Sequence, residues 1–216
     1  FTMGNVAAAQ EMAFESNIGA LCDGNPRMTQ RLVQTNLIYG AYPVAEKYIA
    51  VLENTFYYKD WAKAQRKFLY NDEAVETDPL LGNMRRNLLA ENHLIQMDGF
   101  DTDLIRLAEQ NPSNKAAFHY AGVFYLLAKD MTRFKTLVET YYGTDLLPSL
   151  PVSFQEAVII LSEKDPDYWK RFGVSESIVG RFTDYKRQVL AGRNNSNALP
   201  GLMYRSYGDT YWYYYM

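Results

Sequence analysis

The sequence has 216 residues, 48% of them hydrophobic, and a formal charge of −3 from 22 basic and 25 acidic residues. A chain of this size can bury one continuous core, and its charge balance argues against nucleic acid, whose binding needs a clustered basic surface. One cysteine, Cys22, cannot form an internal disulfide and is expected to be buried. No apolar run approaches the roughly 20 residues of a membrane span. We therefore predict a single domain over residues 1–216 that does not bind nucleic acid.

The N-terminal third predicts four helices in two hairpins. Apolar residues recur at helical spacing over residues 3–21, and the pair Asn25–Pro26 is typical of a helix start. The second helix is predicted to stop at Gly40, and a third to open at Pro43 with a fourth directly after it.

The next segment interrupts this regularity. Residues 71–78, NDEAVETD, are polar and acidic and predict a loop, after which Asp78 and Pro79 restart a helix. That helix is expected to extend to Ile95, and Asp101 is expected to cap the helix after it.

Residues 115–143 carry the clearest pattern in the chain. They predict two antiparallel helices joined by a very short turn, with Asp130 as the cap of the second helix and Gly143 as its left-handed stop. A single hairpin cannot bury both of its apolar faces, so similar helical neighbours are expected on either side.

The first helix of this hairpin resembles a tetratricopeptide repeat. Phe118, Ala121, Gly122 and Tyr125 fall where that family has a large aromatic, an aliphatic, a small residue and an aromatic, and Pro112 closes the preceding unit. The resemblance implies a stack of helical hairpins that binds ligands along the wall formed by the first helices.

The repeat register also extends upstream. A step of about 34 residues back from Lys115 leads to Leu81, which opens a similar unit. The chain departs from the family at Phe134 and Tyr141, where small residues are preferred in the second helix. We predict an all-α fold, an irregular right-handed stack of antiparallel helical hairpins, tetratricopeptide-like, with about eleven helices.

The C-terminal third predicts three more helices and an aromatic tail. Ser153 and Glu156 have the spacing of a capping box, Asp165–Pro166 opens a short helix, and Ser175 caps the last clear one. Residues 193–216 are predicted to form a loop followed by the tail.

A second resemblance rests on three segments: LIYGAYPVAEKYIAVLENTFYYKDWAKAQRKFL, SFQEAVIILSEKDPDYWKRFGVS and GDTYWYYYM. They look like the C-terminal part of an uncharacterised family of large membrane proteins from Bacteroides-type bacteria, in which hydrophobic spans precede a tetratricopeptide-like region. The resemblance implies that the chain is a soluble fragment of a longer protein, attached to the membrane through a missing N-terminal region. The side of the membrane stays open, and no functional residue is carried over.

The tetratricopeptide register predicts which residues face a ligand. The wall would receive Arg85, Leu89 and Asn92 from one unit and Ala116, His119 and Val123 from the next. This set is mostly apolar with one cation, and it lacks the several Lys and Asn side chains of a carboxylate clamp.

No pattern in the chain is typical of an enzyme. There is no glycine-rich phosphate loop, no G-x-S-x-G elbow and no cysteine with a suitably placed histidine. His93 and His119 are the only histidines, and without a ligand cluster a structural, hydrogen-bonded role is expected for them. We predict no catalysis, no cofactor and no metal.

The last thirteen residues are rich in aromatic side chains, which include Tyr207, Tyr211 and Trp212. Such side chains suit a protein interface, a sugar platform or a membrane interface. Alternatively the tail folds back and covers the open end of the last helical pair.

Together these observations favour a protein-interaction or scaffold domain of a membrane-anchored bacterial protein. The alternative is a soluble accessory domain of a membrane enzyme that acts on envelope glycans, with the aromatic tail holding substrate. Neither the partner nor the oligomeric state follows from the sequence.

Overall fold

The computed structural model describes residues 1–20, 24–89, 99–163, 165, 167–192 and 199–216. Within these ranges the chain forms α-helices, two 3-10 helices and no strand, and one isolated bridge joins Tyr142 to Leu147. The predicted all-α fold is therefore confirmed.

The α-helices are, in chain order, α1 (Val6–Ile18), α2 (Pro26–Ile38), α3 (Tyr42–Glu53), α4 (Lys59–Gln65), α5 (Asp72–Thr77), α6 (Leu81–Arg85), α7 (Phe100–Gln110), α8 (Lys115–Leu127), α9 (Met131–Tyr141), α10 (Val152–Leu161), α11 (Glu176–Gly192), α12 (Leu199–Tyr207) and α13 (Tyr211–Tyr215). The 3-10 helices are Arg66–Phe68 and Tyr168–Phe172.

The chain divides into two compact units, Phe1–Tyr120 and Ala121–Met216, and the division falls within α8. The prediction of one domain stays a prediction, because compact units of this kind can belong to a single folding domain.

In the first unit, α1 to α4 pack consecutively as hairpins, as predicted. The Asn25 side chain caps α2 and Pro26 occupies its first turn. At the other end Gly40 is left-handed, with φ of 72°, and the N–H of Ala41 donates to the carbonyl of Asn36. This is a Schellman stop, which favours glycine because that residue has no Cβ to clash.

The core of this unit is built from one stripe of each helix. It extends from α1 through α6 and consists of Val6, Val33, Leu37, Ile38, Tyr42, Ala45, Ile49, Leu52, Ala62, Phe68, Val75, Leu81 and Met84.

The loop predicted for residues 71–78 is wrong, because this segment contains α5. The Asn71 side chain accepts a hydrogen bond from the N–H of Ala74, and Val75 is fully buried. Asp72 and Glu73 occupy the first turn, where the helix dipole stabilises negative charge. A local capping arrangement and one buried valine thus outweigh the polar composition.

The helix predicted from Leu81 to Ile95 is also wrong, because α6 ends at Arg85. Leu88 follows in a non-helical stretch, and residues 90–98 lie outside the described part. Asp101 lies inside the first turn of α7, and Gly99 takes the capping position. The short α6 does not match the long α8, so the tetratricopeptide register fails here.

The predicted hairpin of residues 115–143 has the expected bounds in α8 and α9. The Asp130 carboxylate accepts from the N–H of Arg133, and Gly143 is left-handed with φ of 83°. Lys129 ends α8 in the left-handed region, with φ of 54°, although it carries a side chain.

Three expectations for the C-terminal third have different outcomes. Ser153 and Glu156 form no capping box, because α10 begins at Val152 and Glu156 is buried. Ser175 does start a helix, since its carbonyl accepts from the first turn of α11. The tail forms two helices, α12 and α13, while residues 193–198 lie outside the described part, as does Cys22.

Gly122 provides a test of close packing in the second unit. A Cβ at this position would lie 2.2 Å from the ring of Phe154, which is itself buried edge-to-face against Phe134. Replacement of glycine by alanine in a helix normally gains about 1 kcal/mol, but overpacking costs about 1–3 kcal/mol. We expect Gly122→Ala to lower the free energy of unfolding in denaturant titrations.

Gly180 is the matched control, because it also lies inside a helix and nothing lies within 4 Å of its Cβ position. Gly180→Ala should stabilise the protein by up to about 1 kcal/mol. Equal stabilisation by both substitutions would contradict the packing argument.

Candidate functional site

An open groove lies between α1, α2 and α3 in the first unit. Its volume is about 650 Å³, within the range typical of ligand sites. The groove is lined by Ala7, Gln10, Glu11, Phe14, Leu32, Asn36, Tyr39, Ala41, Val44 and Tyr48.

The walls of this groove are apolar and remain open to solvent. Phe14 on α1 is 50% exposed and Val44 on α3 is 41% exposed, whereas Leu32 between them is fully buried. Consecutive helices position these side chains, so the groove does not depend on a loop. A preformed apolar groove on packed helices is suited to binding.

Glu11 supplies the negative charge in the groove. Its carboxylate oxygen Oε2 is buried and has no hydrogen-bond partner among the described residues. Nearby, the Asn36 side-chain amide is occupied, since it donates to the carbonyl of Leu32 at 2.7 Å. An uncompensated carboxylate next to apolar walls favours a ligand that combines apolar area with a cationic group.

Arg85, predicted to face a ligand, has a structural role in the first unit. Its guanidinium donates to the carbonyls of Leu37 and Ile38, each at 3.0 Å, and thereby caps the C-terminus of α2. It also donates to the Asp72 carboxylate at 2.8 Å, which in turn accepts from the Tyr42 hydroxyl at 2.5 Å. These hydrogen bonds occupy the guanidinium, and its ligand-binding role stays a prediction.

The other predicted wall residues that the structure describes lie on separate segments of the chain. Leu89 lines a cavity of about 10 Å³, large enough for no more than a water molecule, and Asn92 lies outside the described residues, as does His93. His119 and Val123 lie on α8, and burial together with Lys115 lowers the pKa of His119. Their role in binding is untested.

The aromatic residues of the tail pack within the second unit. Trp212 is fully buried and its ring lies 5.2 Å from that of Phe182, while Tyr207 packs edge-to-face on Tyr185. The Tyr211 hydroxyl donates to the carbonyl of Leu126 at the end of α8. The tail therefore folds back onto its own unit, as the capping alternative expects.

Glu156 anchors this tail from the middle of α10. Its carboxylate accepts a hydrogen bond of 2.7 Å from the N–H of Tyr211, the first residue of α13. Burial raises the pKa of Glu156, which the Tyr211 hydrogen bond and Arg181 partly offset, while Asp209 raises it further. A buried side chain from a distant helix thus caps α13.

The sequence did not reveal Glu11, Phe14 and Val44 as one site. Phe14 and Val44 fall in the apolar stripes of their helices, and periodicity identifies an apolar face without showing whether a neighbour covers it. The only available signal was an excess of apolar positions on α1.

The whole chain, residues 1–216, matches a family of unknown function, DUF6057. The chain belongs to this family. No curated protein and no solved structure matches it. Membership of the family therefore supplies neither an activity nor a ligand.

Two further observations concern the part of the chain that the structure describes. None of its helices combines the length and the apolar character needed to cross a membrane. No three His, Cys, Asp or Glu side chains in this part are grouped in a way that could hold a metal ion.

Glu156 predicts a measurable pH dependence of stability. Because its folded-state pKa lies above the ordinary value of 4.5, its contribution to the free energy of unfolding is fully present below pH 4.5 and is lost as pH rises through the folded-state pKa. Glu156→Gln keeps an acceptor for Tyr211 and removes the charge, so it should abolish this part of the pH dependence in denaturant titrations.

Glu163 is the control, since it is an exposed carboxylate paired with Lys186. Glu163→Gln should leave unchanged the loss of unfolding free energy with rising pH that Glu156 causes. Glu156→Ala, which leaves the Tyr211 N–H unpaired, should cost about 1–3 kcal/mol. A wild-type pH profile for Glu156→Gln would exclude this explanation.

Proposed function

We propose that this chain is the protein-interaction or scaffold domain of a membrane-anchored bacterial protein and has no catalysis of its own. The groove between α1 and α3 is the observation that carries this proposal. Anchoring to a membrane rests on the sequence resemblance.

The shape and chemistry of the groove favour a protein segment as its ligand. An amphipathic helix places apolar side chains at steps of three and four residues, which suits a groove with apolar walls on two helices. Phe14 and Val44 would pack on that apolar face, and a lysine or arginine beside it would neutralise Glu11. Exposure of the apolar walls to water costs free energy. A partner that covers them removes this apolar surface from water, which favours binding.

The lining of the groove supports binding over catalysis. Among the described residues it contains one carboxylate, two side-chain amides and two tyrosines, but no histidine, lysine, serine or cysteine.

The alternative, a substrate-holding domain for envelope glycans, has its own supporting observation. Tyr204 is exposed in the second unit and its ring lies 6.1 Å from that of Tyr213, and exposed tyrosine rings can stack on sugars. In that case Tyr204→Ser would reduce retention on immobilised glycan, whereas changes in the groove would not.

Two valines on α3 allow a matched test of the groove. Val44 is 41% exposed and lines the groove, whereas Val51 is 52% exposed on the same helix and does not. An aspartate at position 44 would place a charge against the partner's apolar face. We expect Val44→Asp to weaken partner binding at least about tenfold, as loss of a central apolar contact does.

The measurement is quantitative capture from solubilised native membranes, followed by titration of the recovered partner against each purified variant. Circular dichroism should show the same helical content for both variants. Val51→Asp should bind like the wild type, and equal binding by Val44→Asp would remove the groove from the proposal.

A further inference from the structure

The turn between α3 and α4 exposes two large aromatic side chains next to each other. Phe56 is 91% exposed and Tyr57 is 87% exposed, and their rings are in edge-to-face contact at 5.1 Å. No other large apolar side chains among those described are as exposed as these two. Two adjacent, solvent-exposed aromatic rings at a turn are typical of a surface that a partner covers.

The backbone of this turn is well held. The Thr55 hydroxyl donates to the carbonyl of Leu52 at 2.7 Å, and the N–H of Tyr58 donates back to that hydroxyl at 3.3 Å. Leu52 is fully buried in the core of the first unit. The aromatic pair is therefore presented on a fixed turn.

A row of exposed lysines follows the aromatic pair. Lys59 and Lys63 lie one helical turn apart on α4, and Lys67 follows four residues later in the 3-10 helix. None of the three forms an ion pair within the described part of the chain. The charge of Lys63 does contribute, after that of Arg66, to lowering the pKa of Glu53. Asp60 is the one exposed carboxylate on α4, so the row keeps an excess of positive charge.

Several other basic side chains are paired with carboxylates. Arg66 pairs with Glu53 at 2.7 Å and lies 3.5 Å from Glu46. In the second unit, Arg181, Lys186 and Arg187 pair with Asp209, Glu163 and Asp184 at 2.6, 3.0 and 2.9 Å. The lysine row differs from these because its charges are available to an external anion.

We propose that the turn at Phe56 and Tyr57, together with Lys59, Lys63 and Lys67, is a contact with an anionic membrane surface. The two rings enter the interfacial layer, where Tyr57 combines an apolar body with a polar tip and Phe56 adds apolar area. The three ammonium groups remain among the lipid headgroups and attract their negative charge. This surface is distinct from the groove, and the proposal does not depend on what the groove binds.

The test is flotation of the 216-residue chain with vesicles of phosphatidylcholine alone and with about 30% phosphatidylglycerol added. We expect binding to the anionic vesicles only, and a decrease as salt rises from about 0.05 M to 0.5 M. Replacement of Lys59, Lys63 and Lys67 by glutamine should lower the partition coefficient roughly fivefold for each lysine, or about a hundredfold together.

The aromatic contribution has its own variant and control. Phe56→Ser with Tyr57→Ser should also abolish binding, whereas Tyr204→Ser, which removes another exposed aromatic, and Val44→Asp in the groove should not change it. Because these four side chains are exposed, circular dichroism should show unchanged helical content. Quenching by brominated lipid of the additional tryptophan emission in Phe56→Trp measures insertion directly.

Several results would overturn the proposal. They are equal binding to neutral and anionic vesicles, wild-type binding by either the lysine or the aromatic variant, and absence of quenching at position 56. Loss of vesicle binding by the lysine variant with intact partner capture would support two separate surfaces, and unchanged partner capture by Val44→Asp would refute only the groove.

Discussion

The end of α2 depends on one guanidinium. A helix terminus leaves up to four carbonyls without internal partners, and burial makes each of them costly unless another group donates to it. Arg85 donates to two of these carbonyls and simultaneously to Asp72 at the start of α5. The charge of the guanidinium also complements the negative end of the α2 dipole. This one side chain of α6 thus joins α2, α5 and, through the Tyr42 hydroxyl, α3.

In the second unit a carboxyl group caps the N-terminus of a helix. The N-terminus of α13 needs an acceptor, and Glu156 provides it from the middle of α10. Tyr211 then reaches the end of α8 through its hydroxyl. This arrangement explains why the aromatic tail is part of a core, with Trp212 fully buried, and why its tyrosines are not simply a free binding surface.

Arg85 holds the C-terminus of α2, and the packed helices α1, α2 and α3 form the walls of the groove. The same helix α3 carries the wall residue Val44 near its start and the exposed turn of Phe56 after its end. One helix can thus support two surfaces of different chemistry, one apolar with a carboxylate and one aromatic with lysines. Such a distribution suits a domain that holds a partner close to a membrane surface.

Local chemistry alone determined much of this protein: the all-α class, the Asn25 and Asp130 caps and the Gly40 stop were predictable, because each depends on neighbours within a few residues. Tertiary structure decided the rest. Glu156 has the spacing of a local cap but faces Tyr211, and periodicity cannot distinguish the buried stripe of a helix from an apolar face without a neighbour, as at Val44. The family has no described function, so the groove and the turn emerged only from packing, which brings together residues that are far apart in the chain.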